Sequence, residues 1–313
     1  MPDYMLNREV IDRIPEKFRR ILLREIEPLV GTKNVLAIGL VGSLARGDYW
    51  DGADIDLGII VRKNRPYVVL LRFKEVEIDF AYFNESQLQW LPYDIVPFYD
   101  PNNIIDNSIE QSKKNLVKAK VFLCSGQVYT CLSTIHQVAE EIAEALILLI
   151  GEAPTTRRTI SRLEKAMKNE ESLFERYLLL YNMADNLKRA EFFYHTLKDS
   201  YNEIWDSLIE KGIASVSISP ESTFHNFFRS RFESVYHYDK RDFIWFTFHE
   251  FLFVSQYFFK LENLDSPLEG LDKFSLLWAK NYGAILETIP VEKVPVIHNV
   301  AQQLVEKLED MER

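Results

Sequence analysis

Cysteine is almost missing from this 313-residue chain. The two present, Cys124 and Cys131, are separated by six residues. That spacing fits neither a zinc site nor a disulfide framework, so a reducing compartment, the cytoplasm, is expected. Positive charge is short as well: 37 Lys and Arg stand against 47 Asp and Glu, a formal net charge of −10. Attraction to phosphates supplies most general nucleic-acid affinity, so this balance argues against a nucleic-acid partner but leaves room for one local anion site. Long hydrophobic runs are lacking. Residues 145–150 are too few to cross a bilayer, and 243–259 is interrupted by His249, Glu250, Ser255 and Gln256, so no membrane partner is expected. The N-terminus carries no apolar h-region and reads as free of a signal peptide. Internal repeats and low-complexity tracts are absent too. The remainder, 47% hydrophobic with 13% aromatic residues, can build a packed core and excludes a disordered chain.

The hydrophobic pattern changes character about a third of the way along. Asn7 can cap a helix to about residue 14, and Pro15 can open a second to about 29, ended by Gly31. Residues 35–41 are an apolar run and read as a buried strand. After a polar turn, Ile55, Leu57, Ile59 and Val61 alternate with polar or small residues, a strand by its period of two. Strands are also expected at 67–73, 76–83 and 94–99, with a short helix at 85–91. Asp100-Pro101 reads as the stop of the last strand. Beyond about 107 the apolar spacing is helical: 108–123, 133–150, 164–168, 172–198, 201–211, 220–236, 240–261, 271–288 and 294–312. The expected fold is therefore α+β, a mixed sheet with flanking helices over 1–105 followed by an all-α bundle over 106–313 that receives a substrate or partner.

One passage carries chemistry: Gly42-Ser43-Leu44-Ala45-Arg46-Gly47, then Asp54-Ile55-Asp56-Leu57. A strand runs into a Gly-Ser turn, where glycine lets the backbone approach a ligand and adjacent N–H groups can cradle phosphate. About ten residues later a strand carries aspartates at i and i+2, which share one face while Ile55 and Leu57 take the other. Two like charges ~4 Å apart at an effective dielectric near 20 repel by on the order of 4 kcal/mol, and a divalent cation reverses that sign. Hard oxygen ligands suit Mg²⁺, which usually takes substrate phosphate oxygens as well. A third carboxylate comes from the alternating segment 76–80, where Asp79 is the choice and Glu77 the spare.

This arrangement resembles the nucleotidyltransferase superfamily of DNA polymerase beta, and within it the kanamycin-type and minimal nucleotidyltransferases that act on small molecules or partner proteins. Their signature is Gly-Ser, often continued by Ala-Arg-Gly, then Asp-x-Asp, then one more Asp on a later strand. The counterparts here are Gly42, Ser43 and Arg46 for nucleotide binding, and Asp54, Asp56 and Asp79 as catalytic metal ligands. The resemblance covers about residues 20–105. It implies transfer of a nucleoside monophosphate from an NTP, expected to be ATP, to a hydroxyl acceptor, expected to be a small molecule, with two Mg²⁺ ions and release of pyrophosphate. The sequence allows a homodimer.

Several other features have plainer readings. The aromatic run 224–259 spaces its rings as helix-packing core, though it can also offer a stacking surface. The six histidines show no metal-ligand spacing. A Glu of the helical domain serves as base in kanamycin-type enzymes, and Glu140, Glu141 and Glu144 lie on one expected helix, but each reads first as a solvated face residue. A different class of function stays open at this stage: an antitoxin-like interaction protein that binds or AMP-modifies a helical toxin partner. The large helical domain weighs against it.

Overall fold

The computed structural model describes residues 8–30, 34–47, 49, 52–62, 68–73, 76–84, 101–151, 157–210, 228–262 and 271–312. The chain divides into two compact units, Met1–Tyr99 with Trp205–Ser234, and Asp100–Ile204 with Val235–Arg313. The division read from the sequence at 105/106 sets 205–234 with the helices instead. The expected helix 85–91 and strand 94–99 lie outside the described residues.

The first unit begins with α1 (Arg8–Arg13) and α2 (Glu16–Ile26). Pro15 precedes α2 in an extended conformation, φ −56° and ψ 146°. Its ring presets φ, and its missing N–H costs little where a helix starts. Phe18, Ile21, Leu22 and Ile26 form a stripe along α2, each at most 7% exposed. That stripe packs on a four-stranded sheet of β1 (Val35–Val41), β2 (Ile55–Val61), β3 (Val68–Phe73) and β4 (Glu77–Asn84). The strand order is β1-β2-β4-β3, with β2 and β4 parallel and both outer pairs antiparallel. Ile55, Leu57, Ile59, Ile78 and Phe80 line the covered face and are almost wholly buried. Each such side chain contributes roughly 1.5–3 kcal/mol when buried. A one-residue slip of β2 would turn its whole set to the other face, so this layer sets the register.

One expectation for this unit fails. Strand β1 forms where the apolar run predicts it, but it is not buried: Leu36 is 38% exposed and Ala37 is exposed as well. Among the described strands it pairs with β2 alone and so stands at one end of their order. An apolar run does not by itself separate an edge strand from a central one.

Helices follow residue 100. They are α4 (Pro101–Cys124), α5 (Val128–Leu149), α6 (Thr159–Ala166), α7 (Glu171–Leu179), α8 (Met183–Asn186) and α9 (Ala190–Glu210). After a π-helical turn at Arg229–Glu233 come α10 (Ser234–Tyr238), α11 (Lys240–Glu262), α12 (Leu271–Leu286) and α13 (Val294–Glu312). Helix α4 starts seven residues before the expected 108, with Pro101 at its first position. The α4–α5 turn needs Gly126 at φ +75°, where the N–H groups of Gly126 and Gln127 donate to the carbonyls of Leu123 and Phe122. Helix α5 is apolar almost all round and packs against α4, α6, α11, α12 and α13.

The single helix expected over 172–198 is broken. Asn182 adopts φ +45°, a left-handed conformation that Asn tolerates better than most residues. Lys293 Nζ donates to Asn182 Oδ1 at 2.9 Å, and Asn182 Nδ2 donates to the Thr288 carbonyl at 3.2 Å. Conversely α9 runs unbroken through Ser200, merging the end of that segment with 201–210. The aromatic run is core where it is described: Phe228, Phe232, Trp245, Phe248 and Phe251 are each at most 4% exposed.

The buried carboxylate of Asp242, at the start of α11, caps α6 from 82 residues away. It accepts the N–H groups of Ile160 at 2.6 Å and Ser161 at 3.2 Å, and the Ser161 hydroxyl. Burial outweighs these hydrogen bonds and pushes its carboxyl up to about 6. Next to it Arg241 grips Glu164 with two parallel bonds, at 3.0 and 2.9 Å. Asp242→Ala leaves two helix N–H groups without an acceptor. It should cost about 2 kcal/mol, read as a lower urea midpoint at pH 7 with an unchanged slope.

Candidate functional site

The sheet register sets two of the acids singled out from the sequence in one row with the end of β1. Val41, the last residue of β1, pairs with Asp56 on β2, and Asp56 pairs with Asp79 on the parallel strand β4. Neighbouring strands lie about 4.8 Å apart. Ile55 and Leu57 on β2, and Ile78 and Phe80 on β4, take the covered face. Positions 56 and 79 therefore share the opposite face. Asp54 immediately precedes β2 and is partly exposed, as is Asp56. Backbone position is what the structure describes of Asp79 and of the spare acid Glu77, which opens β4; their side chains lie outside the described set.

From Val41 the chain turns directly into α3 (Gly42–Arg46). This five-residue helix is anchored by Leu44, which is 5% exposed and belongs to the core beneath the sheet. Ser43 sits in its first turn, partly exposed, and the Arg46 side chain lies outside the described residues. Gly42 has φ +68°, and a methyl group built on it would fall inside contact distance of Asp56 Oδ2 and 3.0 Å from Asp56 Cγ. The Asp56 carboxylate thus lies directly over the Gly-Ser turn, in space that only glycine leaves open. Gly42, Asp56 and the backbone of Asp79 are brought together at one end of β2, with Ser43 and Asp54 adjoining them in the chain.

The donor chemistry of this place suits a hard divalent cation: aspartates on and beside neighbouring strands, one of them fitted into a cradle with no Cβ. Among the residues whose side chains are described, no group of three His, Cys, Asp or Glu converges as a metal site. Asp54 and Asp56 are two such acids of the candidate set.

In the second unit the expected solvated glutamates of α5 are not simply solvated. Glu141 faces α4, where its two carboxylate oxygens accept from Ser112 Oγ and Asn115 Nδ2, both at 3.0 Å. Ser112 and Asn115 are at most 3% exposed. Burial, aided by the nearby charges of Glu140 and Glu144, raises the Glu141 carboxyl to about 7 against the pull of those hydrogen bonds. Glu144 is raised in the same way and accepts from Ser108. Glu140 instead pairs with His249 Nδ1 at 3.0 Å. Glu141 and Glu144 open onto a groove of about 450 Å³ bordered by Ser108, Glu110, Gln111 and Lys114. The reading as free surface failed because α4 covers this side of α5. The signal available beforehand was a row of small polar residues, Ser108, Ser112 and Asn115, at helical spacing inside an otherwise apolar stripe.

Residues 17–123 match the family model of the nucleotidyltransferase domain, from α2 through nearly all of α4. This part of the chain is a nucleotidyltransferase domain of the polymerase beta type, as the Gly-Ser and Asp-x-Asp pattern indicated. No curated protein and no solved structure matches the chain. No helix among the described residues is long and apolar enough to cross a membrane.

The raised carboxyl of Glu141 has a signed consequence. A group whose pKa is higher folded than unfolded adds stability at low pH, and loses it as pH rises through the folded value. Replacing Glu141 by Gln removes that loss. Between pH 4.5 and 7 the stability of Glu141→Gln relative to the parent should rise by ~2 kcal/mol, allowing for screening at the groove mouth, and then level off. Urea titrations of the two proteins across that range check it.

Proposed function

We propose that this protein is a magnesium-dependent nucleotidyltransferase that moves AMP from ATP to a hydroxyl group of a small-molecule acceptor, releasing pyrophosphate. The transferase class follows from the family match, and the observation that carries the finer reading is the register row Val41–Asp56–Asp79 with Gly42 seated against Asp56 at its end. A polar cluster at strand ends, beside a turn that forbids a side chain, is arranged for a ligand rather than for packing.

Asp54, Asp56 and Asp79 would hold two Mg²⁺ ions, with Asp79 on the one nearer the reacting bond. Bound there, the ions lower the pKa of the acceptor hydroxyl and offset charge on the α-phosphate. The chain's own residues position the substrate. The N–H groups of the Gly42-Ser43 turn and the Ser43 hydroxyl hold β- and γ-phosphate oxygens, because the first N–H groups of a helix have no acceptor within it. Arg46 lies one helical turn on, and its guanidinium can grip two phosphate oxygens at once. The acceptor oxygen attacks the α-phosphorus, the bond to the bridging oxygen of pyrophosphate breaks, and the acceptor's proton leaves to base or solvent. Net negative charge elsewhere on the chain disfavours a polynucleotide acceptor, which supports a small one.

Incubation with ATP, Mg²⁺ and a panel of hydroxyl-bearing acceptors should release pyrophosphate with at least one of them. Asp54→Asn, Asp56→Asn and Asp79→Asn should each lower that rate by on the order of 10³-fold, ~4 kcal/mol of barrier, without unfolding the chain. Full activity in any of the three rejects the assignment of that residue. ATP with Mg²⁺ at 100 times its dissociation constant should add about 2.7 kcal/mol of stability, visible as a raised melting temperature.

A further inference from the structure

We infer that Gly42 is a positioning residue for the Asp56 carboxylate, and that this role adds to the demand for glycine that its φ of +68° already makes at the turn. Gly42 follows Val41, and Val41 pairs with Asp56, so the turn sits at the level of that aspartate. A Cβ on Gly42 would collide with Asp56 Oδ2 and stand 3.0 Å from Cγ and 3.4 Å from Cβ of the same side chain. The three nearest atoms all belong to Asp56. The place a Cβ would take on Gly42 is therefore occupied by the Asp56 side chain. Because the colliding group is the end of a short side chain, an added methyl displaces the carboxylate before it disturbs the sheet.

The physical benefit is orientation. Asp56 has two χ angles, and a carboxylate free to choose among rotamers spends only part of its time aimed at a cation. Seated against the bare Cα of Gly42, with its backbone paired on both sides, its carboxylate is confined in χ1 and χ2. Partners that only orient a metal ligand commonly change metal affinity 10–100-fold.

The inference rests on the reading of Asp56 as a metal ligand, and one set of variants separates the two. Mn²⁺ affinity is measured by electron paramagnetic resonance with saturating ATP, and ATP affinity is measured separately in EDTA, for the parent, Gly42→Ala, Asp56→Ala and the double variant. Gly42→Ala should weaken Mn²⁺ by on the order of tenfold, and by clearly more than it weakens ATP in EDTA. In the double variant, Gly42→Ala should add nothing to the loss from Asp56→Ala, since the group it acts through is gone. Equal loss of ATP affinity in EDTA, or losses that multiply in the double variant, overturns the inference and returns Gly42 to the phosphates. Unchanged Mn²⁺ affinity in Asp56→Ala overturns the metal reading, and this inference with it, by a different signature. Should Gly42→Ala fail to fold, the double variant, lacking the colliding carboxylate, should fold, and should melt below Asp56→Ala only by the strain of alanine at φ +68°. Failure of the double variant to fold also overturns the inference.

Discussion

The register between β2 and β4 is the constraint on which the candidate site depends. It is held from the opposite face, by Ile55, Leu57, Ile59, Ile78 and Phe80 packing under the apolar stripe of α2. Apolar burial is indifferent to direction, but coupled to a two-residue period it is not: every position on the far face is set once the near face is filled. The juxtaposition of Asp56 and Asp79 is thus imposed by residues that touch neither of them. Left to themselves, two aspartates in register would prefer to part.

Charge is handled differently in the two units. In the sheet unit, acids gather at strand ends beside a turn of bare backbone, a place suited to a cation. In the helical unit, buried acids are satisfied by the protein. Asp242 takes the N-terminus of α6, and Glu141 takes a hydroxyl and an amide from α4. Both carboxyls are nonetheless raised toward neutrality, because hydrogen bonds from neutral donors do not fully replace water around a charge. The same residue type therefore serves as ligand candidate in one place and as a structural acceptor in another, and what separates the roles is the surroundings.

Short-range features of the chain were legible before any coordinates. The alternation around Ile55–Val61 names the strand and the face of each residue, because a period of two is written directly in side-chain order. The Gly-Ser turn and the Asp-x-Asp pair need only local spacing to be seen. The limits of α11 and α13 follow from an apolar period that runs to their ends. Breaks that depend on one backbone angle were not legible. Asn182 divides a helical pattern whose apolar spacing continues through it, and the partners that hold it, Thr288 and Lys293, are distant in sequence. Pro101 carries the same ambiguity, since the ring that stops a strand also starts a helix.

By itself, then, the sequence determined the strands at 35–41, 55–61 and 77–83 and the long helices near the C-terminus, which faces are apolar, and that a glycine turn is followed by paired aspartates, all consequences of spacing along one chain. Only the tertiary structure decided that β1 is part exposed, that Asp79 stands beside Asp56, and that the Asp56 carboxylate occupies the space over Gly42. It also decided that Glu141 is held against α4. These facts depend on which surfaces meet, and burial between segments far apart in the chain is a property of the folded whole that no local pattern encodes.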